Sequence, residues 1–378
     1  MPVYKMPGSK DGKQKYRVRI NYTDKSGKQH QLDRVAYGST EAKMLEMQLM
    51  QEYGKGAAAV NTRMTVQELY DAYMAAKIHE VRATTYDKTR RNMERYVLPT
   101  LGDQRLDRLS AATLQNWKQK IASAGLSVTT QRNQYTELRT MLNFAVKMEY
   151  LPRNPLTSVG NFKDTDFTPP KDKLCYYTSD QFLLYIAAAR EYAEQKNTLT
   201  AWGYFVFFAI AYYTGMRKGE INALKWSDIE GDIINVRRSV TQKIKGEAFV
   251  ETPPKNKKSY RSLQMPQPLI AILDEHKARY QANAEYSQNL RVCGGNKCLS
   301  DTSIENRNAQ FAESAGLPHI RIHDFRHSHA SILANEGINI QEIARRLGHT
   351  KIEQTWNTYA HLYPREEERA IRILDRVK

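Results

Sequence analysis

Cysteine is scarce: three residues in 378 rule out a disulfide framework and point to a reducing compartment. Long apolar runs are missing as well. The longest covers only 202–213, short of the roughly 18 residues that a bilayer span requires, so it reads as a buried helix. The opening Met1-Pro2-Val3-Tyr4-Lys5 has no apolar stretch of the signal-peptide kind. The expectation is a cytoplasmic protein with no membrane partner. Acidic residues are in deficit, 41 Asp+Glu against 57 Lys+Arg, leaving a net charge of +16. A surplus of that size fits a polyanionic partner, nucleic acid before membrane. Apolar residues make up 41% and charged residues 26%, a globular rather than a disordered composition. At roughly 100–200 residues per domain, the length corresponds to about two or three domains.

The N-terminal residues show strand periodicity. Tyr16, Val18, Ile20 and Tyr22 alternate with Arg17, Arg19 and Asn21, so one face packs and the other presents two arginines. Asp24-Lys25-Ser26-Gly27 supplies a turn, 29–35 returns as a second strand, and Ser39-Thr40 opens a helix ending near Gly54. Residues 54–61, rich in Gly and Ala, read as a linker. Four helices follow over 62–155. Thr65 and Glu68 have capping-box spacing ahead of Leu69 and Tyr73. A second helix carries Tyr86, Met93, Tyr96 and Val97 and is stopped by Pro99. Ser110 caps a third, with Leu114, Trp117 and Ile121 inward, and Leu138, Met141, Leu142 and Ala145 mark the fourth. The second helix and its approach hold Arg82, Lys88, Arg90, Arg91 and Arg95. A phosphate-tracking face explains them, and so does an ordinary solvated one. Residues 161–173 form a second linker. Beyond it come a helix capped by Thr178 and Gln181, the apolar helix, short strands at Ile233–Val236, 248–252 and 260–265, and further helices after Asp301.

Candidate chemistry lies in the last third. Arg217 follows the turn Thr214-Gly215 at the end of the apolar helix, with Glu220 three residues on. A guanidinium anchored on a rigid core and facing outward suits bidentate binding of phosphate, although Arg-x-x-Glu alone is commonly a local ion pair. His323-Asp324-Phe325-Arg326-His327 is denser. His323 and His327 have the spacing of a helical zinc pair, but Asp324 stands where the metalloprotease motif has Glu. Cys293 and Cys298 could clip a metal in a Gly-containing loop, yet neither pair has a full ligand set. Gly348 reads as the left-handed cap of a helix opened by Asn339 and Glu342, which holds His349 just past the helix end. Tyr359 follows ten residues later.

As a set, these segments resemble the tyrosine recombinase (phage integrase) family. The resemblance is carried by Thr214-Gly215-Met216-Arg217-Lys218-Gly219-Glu220, His323-Asp324-Phe325-Arg326-His327, Leu347-Gly348-His349 and Tyr359-Ala360-His361, in that order. The helical middle, with Tyr96-Val97-Leu98-Pro99-Thr100-Leu101-Gly102, resembles the family's core-site DNA-binding domain. The basic N-terminal sheet resembles the arm-site-binding domain of integrases from temperate phages and integrative conjugative elements.

The resemblance implies a multidomain, mainly α fold with small antiparallel β-sheets. Residues 1–58 would form a β-sheet-plus-helix arm-binding domain, 62–160 a helical SAM-like core-binding domain, and 171–378 the mixed α/β catalytic domain, with the two larger domains on opposite faces of the duplex. Tyr359 is then the nucleophile that forms a 3′-phosphotyrosyl bond, which explains why neither ATP nor metal is needed and no cofactor is expected. Arg217 and Arg326 would clamp the phosphate oxygens. Lys255, between two predicted strands, would protonate the leaving 5′ oxygen, although Lys257 and Lys258 share its turn. His323 would assist proton transfer at Tyr359 and His349 would hydrogen-bond the phosphate. Glu220 would orient the Arg217 neighbourhood, and Tyr363 would only pack. Arg17, Arg19, Arg82, Lys88, Arg90 and Arg91 are the candidate DNA-binding residues. Implied partners are double-stranded DNA at core and arm attachment sites, a homo-tetramer on DNA, an excisionase and a host DNA-bending protein. The apolar residues of the tail, Ala370, Ile371 and Leu374, would pack on their own domain or dock on a neighbouring protomer. The rival readings are a chromosome dimer resolution recombinase, a non-catalytic DNA-binding protein of the same fold, and a zinc hydrolase built on His323 and His327.

Overall fold

The computed structural model describes residues 3–23, 29–53, 64–164, 175–242, 244, 246–253, 259–282, 286–363, 371 and 374–376. The predicted turn at 24–27, the linker at 54–61, the Lys255–Lys258 segment, most of the second linker and most of the C-terminal tail lie outside these residues. The chain divides into two compact units, 1–167 and 168–378.

In the first unit, β1 (Val3–Lys10), β2 (Lys13–Thr23) and β3 (Gln29–Tyr37) form an antiparallel sheet in that order, and α1 (Ser39–Tyr53) packs on it. The alternation read from the sequence is present: Val18 and Ile20 are buried with Ala36, Ala42 and Leu49. Periodicity did not reveal β1. Pro7 and Gly8 interrupt its pattern, and its register with β2 shifts between Lys5 and Ser9. An edge strand tolerates both, because its outer amides need no ladder partner.

The same unit contains α2 (Val66–Lys77), α3 (Ala83–Tyr96), α4 (Leu98–Leu101), α5 (Ala111–Ala122) and α6 (Val128–Lys147). The Thr65–Glu68 capping box is made in both directions, and Ser110 accepts from the Thr113 amide to cap α5. The core is built on Leu69, Tyr73, Met93, Trp117, Leu138 and Leu142. Pro99 does not simply stop α3. It lies in the first turn of α4, where its missing amide hydrogen has no partner to lose.

The second unit is organised around α8 (Leu199–Thr214), which is buried along nearly its whole length. It packs against α7 (Ser179–Lys196), α10 (Gln267–Gln281) and α12 (Ile322–Asn335). Thr198 caps its start and Gly215, at φ 64°, ends it. Helix α9 (Lys218–Ala223) follows at once. Two small sheets flank the helices. One has the order β4 (Ile229–Glu230), β5 (Ile233–Val236), β8 (Arg261–Gln264), and the other pairs β6 (Ser239–Thr241) with β7 (Val250–Thr252). Thus the predicted second and third strands are not partners of each other. The second pairs with β6 and the third with β5, and β4 and β6, which the sequence did not show, are too short to reveal a period. The unit closes with α11 (Asp301–Ser314), α13 (Ile340–Leu347) and α14 (Ile352–Tyr359). Among the described residues no helix is long and apolar enough to cross a membrane.

Gly203 lets α8 approach the loop at Cys293, since a Cβ there would collide with the Cys293 carbonyl oxygen. Overpacking a rigid core by one methyl costs about 1–3 kcal/mol. Gly203→Ala should therefore lower the urea midpoint by that equivalent with an unchanged m-value.

Candidate active site

Arg217 stands immediately before α9. Its amide donates to Glu220 Oε2 at 3.0 Å and its Nη1 to Glu220 Oε1 at 2.9 Å. Its side chain is 40% exposed while that of Glu220 is 4% exposed, so the carboxylate is the buried anchor and the guanidinium the outward group. Glu220 has a second cation, Arg261 on β8, whose Nη2 donates at 2.8 Å. Arg261 is buried and also donates to the Arg346 carbonyl at 2.7 Å and the Ser259 carbonyl at 3.2 Å. Burial alone would push the Glu220 carboxyl up, but the charge and hydrogen bond of Arg261, with the Arg217 charge, hold it below its ordinary value.

Arg326, on α12, is 3% exposed. Its Nη1 donates to the Gly215 carbonyl at 2.8 Å and its Nη2 to the Leu347 carbonyl at 2.6 Å. It thereby ties the end of α8 to the end of α13. Burial, followed by the neighbouring Arg217 charge, presses its pKa down.

His349 follows Gly348, the left-handed cap of α13 at φ 66°, and its Nδ1 meets Thr355 Oγ1 at 2.8 Å. Burial lowers its pKa to about 4, helped by Arg326, Arg217, His323 and Arg261. All four act on one imidazole, so groups from the α8–α9 junction, β8, α12 and the α13–α14 connection converge. His323, at the start of α12, is likewise held at about 4 by burial, then by His327 and Arg326. Both rings are neutral near pH 7 and serve as hydrogen-bonding groups rather than charges.

Tyr359, the last residue of α14, is 2% exposed and packs with Ala330, Ala334, Ile343 and Leu347. Its hydroxyl lies 2.6 Å from His327 Nδ1. Burial raises the phenol to about 12, opposed by the Arg326 charge. Of the six residues expected to carry catalysis, Arg217, His323, Arg326, His349 and Tyr359 are thus in mutual hydrogen-bonding or electrostatic reach, and Lys255 lies outside the described residues. Tyr363 packs as expected, donating to the Ile338 carbonyl at 2.6 Å. Asp324 is the N-terminal anchor of α12, accepting from the Arg321 amide at 2.8 Å. Among the described residues no three His, Cys, Asp or Glu side chains converge as a metal-binding set.

A cationic cluster with one outward guanidinium, neutral imidazoles and a phenol is suited to a phosphodiester. The fold and its motifs match known proteins in the same sense. The profile described as the phage integrase family matches residues 178–366, and that of the phage integrase N-terminal SAM-like domain matches 65–122. The chain belongs to the phage integrase family. As an integrase it is a tyrosine recombinase, a site-specific enzyme. The ICEBs1 integrase of Bacillus subtilis (strain 168) is 25% identical over 373 residues, covering 97% of each chain. The transposase from transposon Tn916 of Enterococcus faecalis is 23% identical, covering 87% of this chain and 82% of its own. The Tn1549 transposon integrase in complex with circular intermediate DNA shares the fold at a TM-score of 0.63 and 20% identity, over 83% of this chain and all of that one. A lambda integrase tetramer bound to a Holliday junction shares it at 0.55 and 16%, over 93% and 96%.

Of the candidate DNA-binding residues, Arg19, Lys88, Arg90 and Arg91 are engaged in ion pairs within the integrase. In β2, Arg19 Nε donates to Asp33 Oδ1 across the sheet at 2.8 Å, and Arg17 opposes Val35 in the register. On α3, Arg90 bridges Asp87 at 2.8 Å and Glu94 at 3.1 Å, Arg91 meets Asp87 at 3.0 Å, and Lys88 stands 3.8 Å from Glu137. Arg82 flanks the start of that helix. Lys88, Arg91, Asn92, Glu94, Arg95 and Tyr96 line an open concavity there.

Sequence reasoning passed over two site residues. Arg261 occupies an inward position of β8, on the same face as buried Leu263, and an arginine at a buried strand position is itself the signal. His327 was weighed only as a zinc partner of His323, yet its ring faces Tyr359 and meets His323 edge-on at 5.1 Å.

Removing Glu220 would leave Arg261 buried without its counter-charge, a loss of about 3–5 kcal/mol for Glu220→Ala in urea unfolding near pH 7. The folded pKa of Glu220 lies below the ordinary one. Its ionic contribution is therefore complete above the ordinary carboxylate range and fades as pH falls through the folded value. The stability gap between wild type and Glu220→Gln should narrow over that acid window.

Proposed function

We propose that this integrase integrates and excises a mobile element, cutting and rejoining DNA strands through a 3′-phosphotyrosyl intermediate on Tyr359 and a Holliday junction. The observation that carries this reading is the convergence of Arg217, Arg326, His323 and His349 with the buried phenol of Tyr359. Near-full-length similarity to the ICEBs1 integrase, and similarity to the Tn916 transposase, support the mobile-element role.

Tyr359 Oη attacks the phosphorus and the bond to the 5′ oxygen breaks, so the ester energy stays in the protein–DNA link and rejoining needs neither ATP nor a metal. Arg217 and Arg326 offset the charge of the pentacovalent transition state. His349 donates to a non-bridging oxygen, His323 assists proton movement, and Lys255 protonates the leaving 5′ oxygen. The helical domain at 62–160 grips the core site and the sheet domain at 1–58 the arm sites, with Arg17, Arg19, Arg82, Lys88, Arg90 and Arg91 on phosphates. The partners are double-stranded DNA, three further copies of the chain, an excisionase and a host DNA-bending protein. The reaction belongs to the cytoplasm.

Incubation with a nicked attachment-site duplex should give a covalent adduct on a denaturing gel. Tyr359→Phe should abolish the adduct while specific binding persists, and an adduct that survives this change would remove Tyr359 from the role. Arg326→Ala or Arg217→Ala should slow cleavage by about 10²-fold or more, as for other lost transition-state donors. Deleting residues 1–58 should weaken arm-site binding in a mobility-shift assay and spare cleavage of the nicked core site.

A further inference from the structure

His327 is the one side chain that the structure puts in hydrogen-bond contact with the Tyr359 hydroxyl among the described residues, at 2.6 Å through Nδ1. His323 meets His327 ring edge to ring face, at 5.1 Å between centroids. We propose that His327 takes the proton of the Tyr359 hydroxyl as the phenol attacks the scissile phosphate and returns it when the phosphotyrosyl bond is resolved. The inference rests on the covalent role given to Tyr359 above.

The step balances without an added reagent. The Tyr359 Oη–phosphorus bond forms and the bond from phosphorus to the 5′ oxygen breaks. The phenol proton passes to Nδ1 of a neutral imidazole, and the leaving oxygen takes its proton from the general acid on the opposite side of the phosphate. Rejoining runs the same transfers backwards.

The surroundings of the ring fit this assignment. Burial lowers the pKa of His327 and raises that of Tyr359, so at neutral pH the proton rests on the phenol oxygen and Nδ1 is the acceptor. The charges acting on the ring come from its own helix and the residue that caps it: Asp324 favours its protonated form, and Arg321 and Arg326 oppose it. Asp324 is thus placed to stabilise an imidazolium that forms only in the reaction. From α14 the facing group is Tyr359 itself. The ionisable group of α13 that meets α12 nearby, Arg346, is directed at His329 instead, with Nε 3.3 Å from its Nε2. His329 in turn meets the Tyr212 carbonyl of α8 at 2.9 Å.

The test is single-turnover cleavage of a nicked attachment-site duplex by the full-length chain across about pH 6 to 9, since general-base catalysis shows itself in a pH–rate profile. His327→Asn retains an acceptor oxygen near the Nδ1 position but cannot take a proton. It should cleave about 10²-fold or more slowly, with a rate that keeps climbing with pH where wild type levels off. A duplex with a bridging 5′ sulfur, whose thiolate leaves without a proton, should not rescue it. Wild-type rate and profile in His327→Asn would reduce His327 to a packing residue. Rescue by the sulfur substrate would move it to the leaving-group side, and the same pH signature in His323→Asn alone would transfer the role. Either result overturns the proposal. If His327→Asn binds DNA poorly or melts early, His327→Gln is read in the same assay. A wild-type chain that forms no Tyr359-dependent adduct sinks the covalent reading itself, an outcome separate from any of these.

Discussion

A guanidinium with almost no access to water organises this catalytic domain. Arg326 is anchored by the Gly215 and Leu347 carbonyls, which belong to the C-terminal ends of α8 and α13. Such carbonyls have no intrahelical donor and sit at the negative pole of the helix dipole, so two helix ends supply what a carboxylate would otherwise have to provide. The arrangement depends on both helices stopping in left-handed turns. At Gly215 a side chain is excluded twice over, by φ of +64° and by the His329 and Leu347 side chains that a Cβ would meet. Arg217 and His349 come two residues and one residue after these caps. The turns that satisfy Arg326 therefore also bring Arg217 and His349 beside it.

The charge balance of the cluster follows from the same economy. Three arginines converge, but Glu220 is the carboxylate in contact with them, shared between Arg217 and Arg261. The carboxylate of Asp324 is engaged at the start of α12 by the Arg321 amide and guanidinium. With Arg326 hydrogen-bonded to two carbonyls and the single Glu220 carboxylate shared by the arginines, the cluster keeps an excess of positive charge, and its most exposed member is Arg217. Under the covalent reading, charges held in this state by buried hydrogen bonds meet an anion without reorganising, the condition under which fixed charges stabilise a transition state well.

Much of this was legible in the chain. Capping spacing located α2, α5 and α7, an apolar run located α8, and the four C-terminal segments carried the family. Their legibility has a physical reason: caps and catalytic clusters are local in sequence. What escaped was long-range. Strand β1 is broken by Pro7 and Gly8, and β4 and β6 are too short for periodicity. The partner of β7 is β6 rather than the next strand along, a choice made by tertiary packing. Arg19 reads as an outward basic residue until β3 brings Asp33 opposite it. Likewise His327 and Tyr359 are 32 residues apart, and no local pattern announces that α14 folds back on α12.

The burial of Tyr359 carries a cost that the reaction needs. A phenol held at about 12 is a poor nucleophile, so the resting enzyme gains no reactivity from its position. The gain lies on the other side of the chemistry. A phosphotyrosyl link must survive until a second DNA end arrives, and its competitor is water. Apolar neighbours at Ala330, Ala334, Ile343 and Leu347 leave the buried phenol little contact with bulk water. Under the covalent reading, low reactivity at rest and long life of the intermediate are two consequences of one packing arrangement. Activation under that reading combines His327, already within hydrogen-bond reach of the hydroxyl, with cations that engage once a phosphate is present.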